Sequence, residues 1–142
     1  MGSHLKVTSR DYLIDSDEST DPLFYCLLAD FKIEKDDGIY ETKTCGLGFI
    51  FFGYHVGQGP FIYLEDLYMD ESYRGFGGGK LMMTELARIS LKLGCTKLSW
   101  SALDWNTPAL NFYNKIGARI ETNKTMTRFC GAELAAFAIG AS

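Results

Sequence analysis

The chain has 142 residues, enough for one domain with a hydrophobic core and too few for a second. At 46% hydrophobic and 23% charged, it reads as globular and excludes a disordered chain. The formal net charge is −4 with no Lys/Arg run, which argues against nucleic acid or a membrane surface as partner and suits a small cationic substrate.

Met1-Gly2-Ser3-His4 reads as an expression-tag remnant, leaving residues 5–142 as a single domain. Thr8 to Leu13 has capping-box-like spacing and predicts a helical turn. Asp15 to Asp21 is an acidic loop rich in Ser and Thr. Leu23 to Phe31 is a dense apolar run with aromatics and predicts a buried strand. Glu34-Lys35-Asp36-Asp37-Gly38 is a hairpin turn into a second strand, Thr42 to Tyr54. Gly46, Gly48 and Gly53 within that strand point to a bulge or a close approach. A glycine-rich turn containing His55 leads to a third strand, Pro60 to Met69.

Lys80 to Leu93 predicts an amphipathic helix with Met82, Leu86, Ile89 and Leu93 on one stripe, ended by Gly94. Thr96 to Ala102 follows as a strand, and Thr107 to Ile116 as a helix with Pro108 at its start and Gly117 at its close. Ala118 to Glu121 and Met126 to Ile139 predict terminal strands. The pattern is mixed α/β: an antiparallel meander, then alternating elements with part of the sheet parallel. Cys26, Cys45, Cys95 and Cys130 sit in apolar contexts without a C-x-x-C pair, which predicts buried, reduced thiols in a cytoplasmic protein. His55 is the histidine that remains beyond the tag. A histidine-built metal site or a Ser-His-Asp triad is therefore not expected.

The stretch ESYRGFGGGKLMM carries the chemistry. Its glycines lie between a predicted strand and a predicted helix, where bare backbone amides and the helix dipole receive an anion. The Walker A spacing fails, because Lys80 is followed by Leu81 and Arg74 stands where the first glycine belongs. The dinucleotide fingerprint fails too, since its third glycine would fall on Lys80. What fits is Arg74-Gly75-Phe76-Gly77-Gly78-Gly79, of the form [QR]-x-x-G-x-[GA]. It resembles the acetyl-CoA pyrophosphate loop of the GCN5-related N-acetyltransferase (GNAT) superfamily. The segment DWNTPALNFYNKIGA matches that superfamily's second conserved stretch at Asn106, Ala109, Tyr113 and Gly117. YLEDLYMDESYRGFG and FYCLLAD resemble the diamine acetyltransferases, the spermidine/spermine and thialysine N-acetyltransferases.

The resemblance implies a GNAT fold lacking the family's first strand and helix. It implies an enzyme that moves acetyl from acetyl-CoA to a primary amine, cytoplasmic and homodimeric, with neither nucleic acid nor membrane as partner. Glu65 would be the base and Tyr113 the acid that protonates the leaving thiolate, with Glu65 and Asp66 holding the amine. Leu67, Tyr68 and Met69 would pair with pantetheine. Arg74, Gly75, Phe76, Gly77, Gly78, Gly79 and Lys80 would hold the pyrophosphate, with Asn106 and Tyr113 also at the cofactor. Read from the residues alone, Glu65 and Asp66 fall on opposite faces of their strand by simple alternation. Tyr113 also fits a packing position on its helix, and Asn106 a helix cap. The polyamine pattern departs at His55, Gly57 and Thr125, where those enzymes carry an acid, a Trp and a Glu. That favours thialysine, a lysine-like amine or a short diamine over spermidine or spermine. A non-catalytic acyl-CoA-binding module and a structural dimer module are the rival readings.

Overall fold

The structure, a computed structural model, describes residues 3–12 and 23–140. The acidic loop Asp15–Asp21, Leu13, and Met1 and Gly2 lie outside the described residues. The chain divides into two compact units, Met1–Leu103 and Asp104–Ser142.

In the first unit a five-stranded sheet has the order β1-β2-β3-β4-β5. Its strands are β1 (Ser3–Tyr12), β2 (Phe24–Glu34), β3 (Tyr40–His55), β4 (Gly59–Met69) and β5 (Leu98–Trp100). The first four pair antiparallel in sequence order, and β5 adds to β4 in parallel. That is the mixed meander expected. β1 corrects the helical turn expected from Thr8: Ser3 to Tyr12 pairs along β2, with Ser3 opposite Ile33 and Tyr12 opposite Phe24. A ladder of that length outweighs one local capping pattern.

The hairpin turn forms as expected, with Gly38 at φ 76° and the Ile39 amide donating to Asp37 Oδ1 at 3.1 Å. His55 ends β3 exposed to solvent. A 3-10 turn, Glu71–Tyr73, and the glycine-rich loop lead from β4 into helix α1 (Gly78–Lys92). The core lies between α1 and one face of the sheet, with Leu27, Ile62, Met82 and Leu86 fully buried. Burying each of these stabilises the fold by about 1.5–3 kcal/mol relative to exposure. Gly48 admits this contact: a Cβ there would lie 3.2 Å from Met82 Cε. The helix stripe differs from expectation at its end. Met82, Met83, Leu86 and Ser90 are buried, while Leu93 is exposed at the C-cap.

In the second unit α2 (Thr107–Lys115) forms where expected. The strands expected over Ala118–Glu121 and Met126–Ile139 are not present. The former has no regular structure, and the latter contains a helix, α3 (Gly131–Ala138). GAELAAFA is alanine-rich, with Glu133 in the first turn facing the dipole, so helix propensity prevails over the apolar run. Cys26, Cys45 and Cys95 are buried free thiols as expected, but Cys130 is exposed at the N-cap of α3. Burial pushes the thiols of Cys26 and Cys45 above the ordinary range, and Asp30 and Asp70 add to the effect at Cys45.

Candidate active site

β4 and β5 share a short ladder, Ile62 with Leu98, Tyr63 with Ser99 and Leu64 with Trp100. The ladder ends at Leu64 because β5 itself ends at Trp100. Among the described residues no strand lies beside Glu65 to Met69 on that side. Backbone groups left without a ladder partner are an opening for an extended ligand. The Tyr63 hydroxyl and Ser101 Oγ share a hydrogen bond of 2.7 Å where β5 ends.

On its other side β4 is irregular at the same place. Ile50 faces Leu64 and Phe49 faces Asp66, so Glu65 is an extra residue and the strand bulges. This corrects the simple alternation expected for Glu65 and Asp66. Leu64 lies opposite Ile50, and Leu67 lies opposite Gly48, on the core face. Side chains three apart share that face only because the bulge shifts the phase. Glu65 and Asp66 therefore both fall on the other face, with Tyr63 and Phe49, and both are exposed.

β4 then turns into the glycine loop. Asp70 caps the 3-10 turn, its Oδ1 accepting the Ser72 amide at 2.9 Å. These bonds, with Lys43 and Arg74 nearby, hold its carboxyl below the usual range. Arg74 folds back toward β4. Its Nε donates to the Met69 carbonyl at 3.0 Å, and its guanidinium carbon lies 6.0 Å from the Tyr68 ring centroid. Among the described residues no carboxylate pairs with it within 4.0 Å.

Gly75 and Gly77 sit at φ 87° and 77°, conformations that side-chain-bearing residues avoid. A Cβ at either would meet nothing within 4 Å, and both residues are exposed. Gly77 is the N-cap of α1 and brings no side chain to it. The first amides of the helix, at Gly78, Gly79 and Lys80, have no intrahelical acceptor. Phe76 is exposed beside them. An unpaired strand edge running into a row of bare amides fits an amide-bearing chain that ends in a diphosphate.

The second unit holds the other expected residues. Asn106 caps α2, its Oδ1 accepting the Ala109 amide at 3.3 Å. Tyr113 is half-buried on α2, its ring 5.4 Å from that of Phe112, and its carbonyl accepts the Ala118 amide. The roles of Asp70 and of the bulge at Glu65 were missed from sequence. The Asp-x-Ser spacing was a legible sign of the cap, whereas no glycine or proline within β4 near Glu65 marks its bulge.

A model of the acetyltransferase (GNAT) family matches residues 7–118. The chain belongs to this family. Thialysine N-epsilon-acetyltransferase of Mus musculus is 32% identical over 117 residues, covering 82% of this chain and 68% of that protein. The Bos taurus protein of the same name is 34% identical over 98 residues, covering 69% of this chain. The chain spans 57% of the length of that bovine relative. Spermidine/spermine N(1)-acetyltransferase-like protein 1 of Homo sapiens is 32% identical over 114 residues, 80% of this chain and 16% of that one. Among solved structures, an integron cassette protein of V. cholerae superposes with a TM-score of 0.76 at 23% identity, covering 94% of this chain and 97% of that one. An aminoglycoside acetyltransferase from an uncultured soil sample gives 0.67 at 17% identity, covering 89% and 95%. These likenesses show the GNAT fold. No described helix is long and apolar enough to cross a membrane.

Proposed function

We propose that this GNAT chain transfers acetyl from acetyl-CoA to the primary amine of a small molecule, namely thialysine, a lysine-like amine or a short diamine. One observation carries the reading. The ladder of β4 with β5 ends at Leu64, and β4 continues to Met69 with no strand on that side among the described residues, then into the glycine loop that opens α1. The relatives named for thialysine and for spermidine/spermine support an amine acceptor.

Acetyl-CoA, when bound, supplies the acetyl thioester. The backbone of Leu67, Tyr68 and Met69 pairs with its pantetheine amides. Arg74 and the amides of Gly75, Gly77, Gly78 and Gly79 hold the diphosphate, with Phe76 and Lys80 beside it and Asn106 at the cofactor. An alkylammonium has a pKa near 10 and is not a nucleophile. Glu65 takes its proton, through water, while Asp66 holds the ammonium. The freed amine would attack the acetyl carbon directly, the carbon–sulfur bond would break, and Tyr113 would give a proton to the departing sulfur, as a phenol can at neutral pH. The bulge supports the first assignments, because it presents Glu65 and Asp66 on one face.

The same reading takes residues 5–142 as one domain of a cytoplasmic homodimer. Support for self-association is the apolar C-terminal segment, where Phe129 stacks on Phe137 at 4.6 Å and Leu134 and Ile139 are exposed.

The test is thiol release from acetyl-CoA with thialysine, lysine, 1,4-diaminobutane and spermidine. Turnover is expected with the shorter amines. Release with none of them would defeat the proposal. A rise in melting temperature with CoA but no turnover would instead favour an acyl-CoA-binding module.

A further inference from the structure

Glycine-rich loops lose much entropy when held in one shape. The residues that hold this one lie outside its motif. Phe31, on β2, has its ring centroid 5.2 Å from that of Tyr73 and 5.6 Å from that of Phe76. Tyr73 and Phe76 bracket Arg74 and Gly75. Lys43, opposite Phe31 on β3, has its Nζ 5.6 Å from the Tyr73 ring centroid.

A bulge produces this pairing. Ala29 faces Gly46 and Asp30 faces Thr44, so Cys45 is the extra residue. An unbulged ladder would set Thr44 opposite Phe31. With the bulge, Phe31 and Lys43 both reach Tyr73.

We propose that Phe31 is a positioning residue for the cofactor. It grips the rings on either side of Arg74-Gly75 and so holds the loop's amides in place before an anion arrives. The inference rests on Arg74–Lys80 being the diphosphate loop. Phe31 itself touches no reacting group. Its effect therefore falls on CoA affinity and on KM for acetyl-CoA, and leaves kcat alone. Pre-ordering a loop raises affinity by removing an ordering cost. Aromatic pairs contribute about 0.5–1.5 kcal/mol beyond burial, equivalent to a change of about 2- to 12-fold in Kd.

The experiment is calorimetric titration of CoA into the wild-type chain, Phe31→Ala, Phe76→Ala and the double variant. Phe76 is 63% exposed, so its truncation leaves the core intact. Each single change is expected to weaken CoA binding by that factor. The double variant is expected to bind no more weakly than Phe31→Ala, because that change already removes the Phe31–Phe76 contact along with the one to Tyr73. Phe31→Tyr, which keeps the ring, is expected to bind as the wild type does, and kcat at saturating acetyl-CoA is expected to hold in the Phe31 single variants. Should Phe31→Ala fail to fold, Phe31→Leu replaces it with the same expectation. Wild-type affinity in the Phe31 variant, or single effects that multiply in the double, would overturn the positioning role while leaving the loop reading intact. A wild-type chain that binds no CoA would remove both.

Discussion

Glu65 and Asp66 are neighbours in one strand, yet they share a face, because together they stand opposite Phe49. A regular strand would divide them between core and solvent. With both presented together, one carboxylate can take a proton while the other holds the ammonium. Glu65→Gln is therefore expected to lower kcat/KM by roughly 10²-fold and to flatten the fall in rate at low pH. Asp66→Asn is expected to raise KM for the amine and keep that fall. A pH–rate profile of both variants checks this. An unchanged low-pH limb in Glu65→Gln would point to another base.

Asp70 sets a pH dependence of a different kind. Hydrogen bonds from Ser72, with Lys43 and Arg74 nearby, lower its pKa from 3.8. A carboxyl whose folded value is depressed stabilises the fold above its unfolded value. That contribution is lost as the pH falls through the folded one. Asp70→Asn is expected to lower Tm at pH 7, and the gap from wild type is expected to close as the pH drops below about 3.8. Melting curves across pH 2 to 7 are the check. A gap that persists in acid would mean that Asp70 acts through packing.

The parts of the fold set by local pattern were legible in the sequence. The hairpin turn at Gly38, the stripe through Met82 and Leu86, and the capped start of α2 at Asn106 each follow from short-range chemistry. The place of the glycine loop between a strand and a helix was legible from the apolar patterns on either side of it. What escaped depends on pairing partners. The bulge at Glu65 is set by register between strands, and so is the place of the β3 bulge at Cys45, where the glycines from Gly46 onward pointed only to a bulge or a close approach. The contact of Phe31 with Tyr73 joins residues from β2 and from the turn after β4. β1 escaped because its partner strand decides its conformation, and α3 because an apolar run alone does not separate strand from helix.

Gly77 and Gly53 are glycines for different reasons, and alanine should reveal it. At Gly77 a Cβ would meet nothing, so the penalty is the left-handed backbone at φ 77°, about 1–2 kcal/mol. At Gly53 the backbone φ is ordinary, but the Phe61 ring crosses the site and a Cβ would overlap its Cζ. The displaced ring also carries Lys97, whose Nζ lies 4.6 Å from its centroid. Both variants should lose stability, Gly53→Ala by about 1–3 kcal/mol as an overpacked site. Only Gly77→Ala should weaken CoA binding as well. Denaturant melts beside CoA titrations separate the two. Equal CoA affinity in both variants would argue against the N-terminus of α1 as the diphosphate site.

Tyr113 offers the sharpest distinction between packing and chemistry. It lies half-buried on α2 beside Phe112. Tyr113→Phe keeps the ring and removes only the hydroxyl. If the side chain serves packing, turnover with an amine acceptor will match the wild type. If it protonates the leaving sulfur, turnover should fall at least tenfold, within the roughly 10²–10⁴ that a general acid contributes. CoA affinity should stay unchanged in either case, so a titration run beside the thiol-release assay separates lost chemistry from lost binding. The deficit should also shrink with an acyl donor whose thiol is more acidic, because a better leaving group needs less help from an acid. A uniform deficit across donors would assign the hydroxyl to orientation and not to proton transfer.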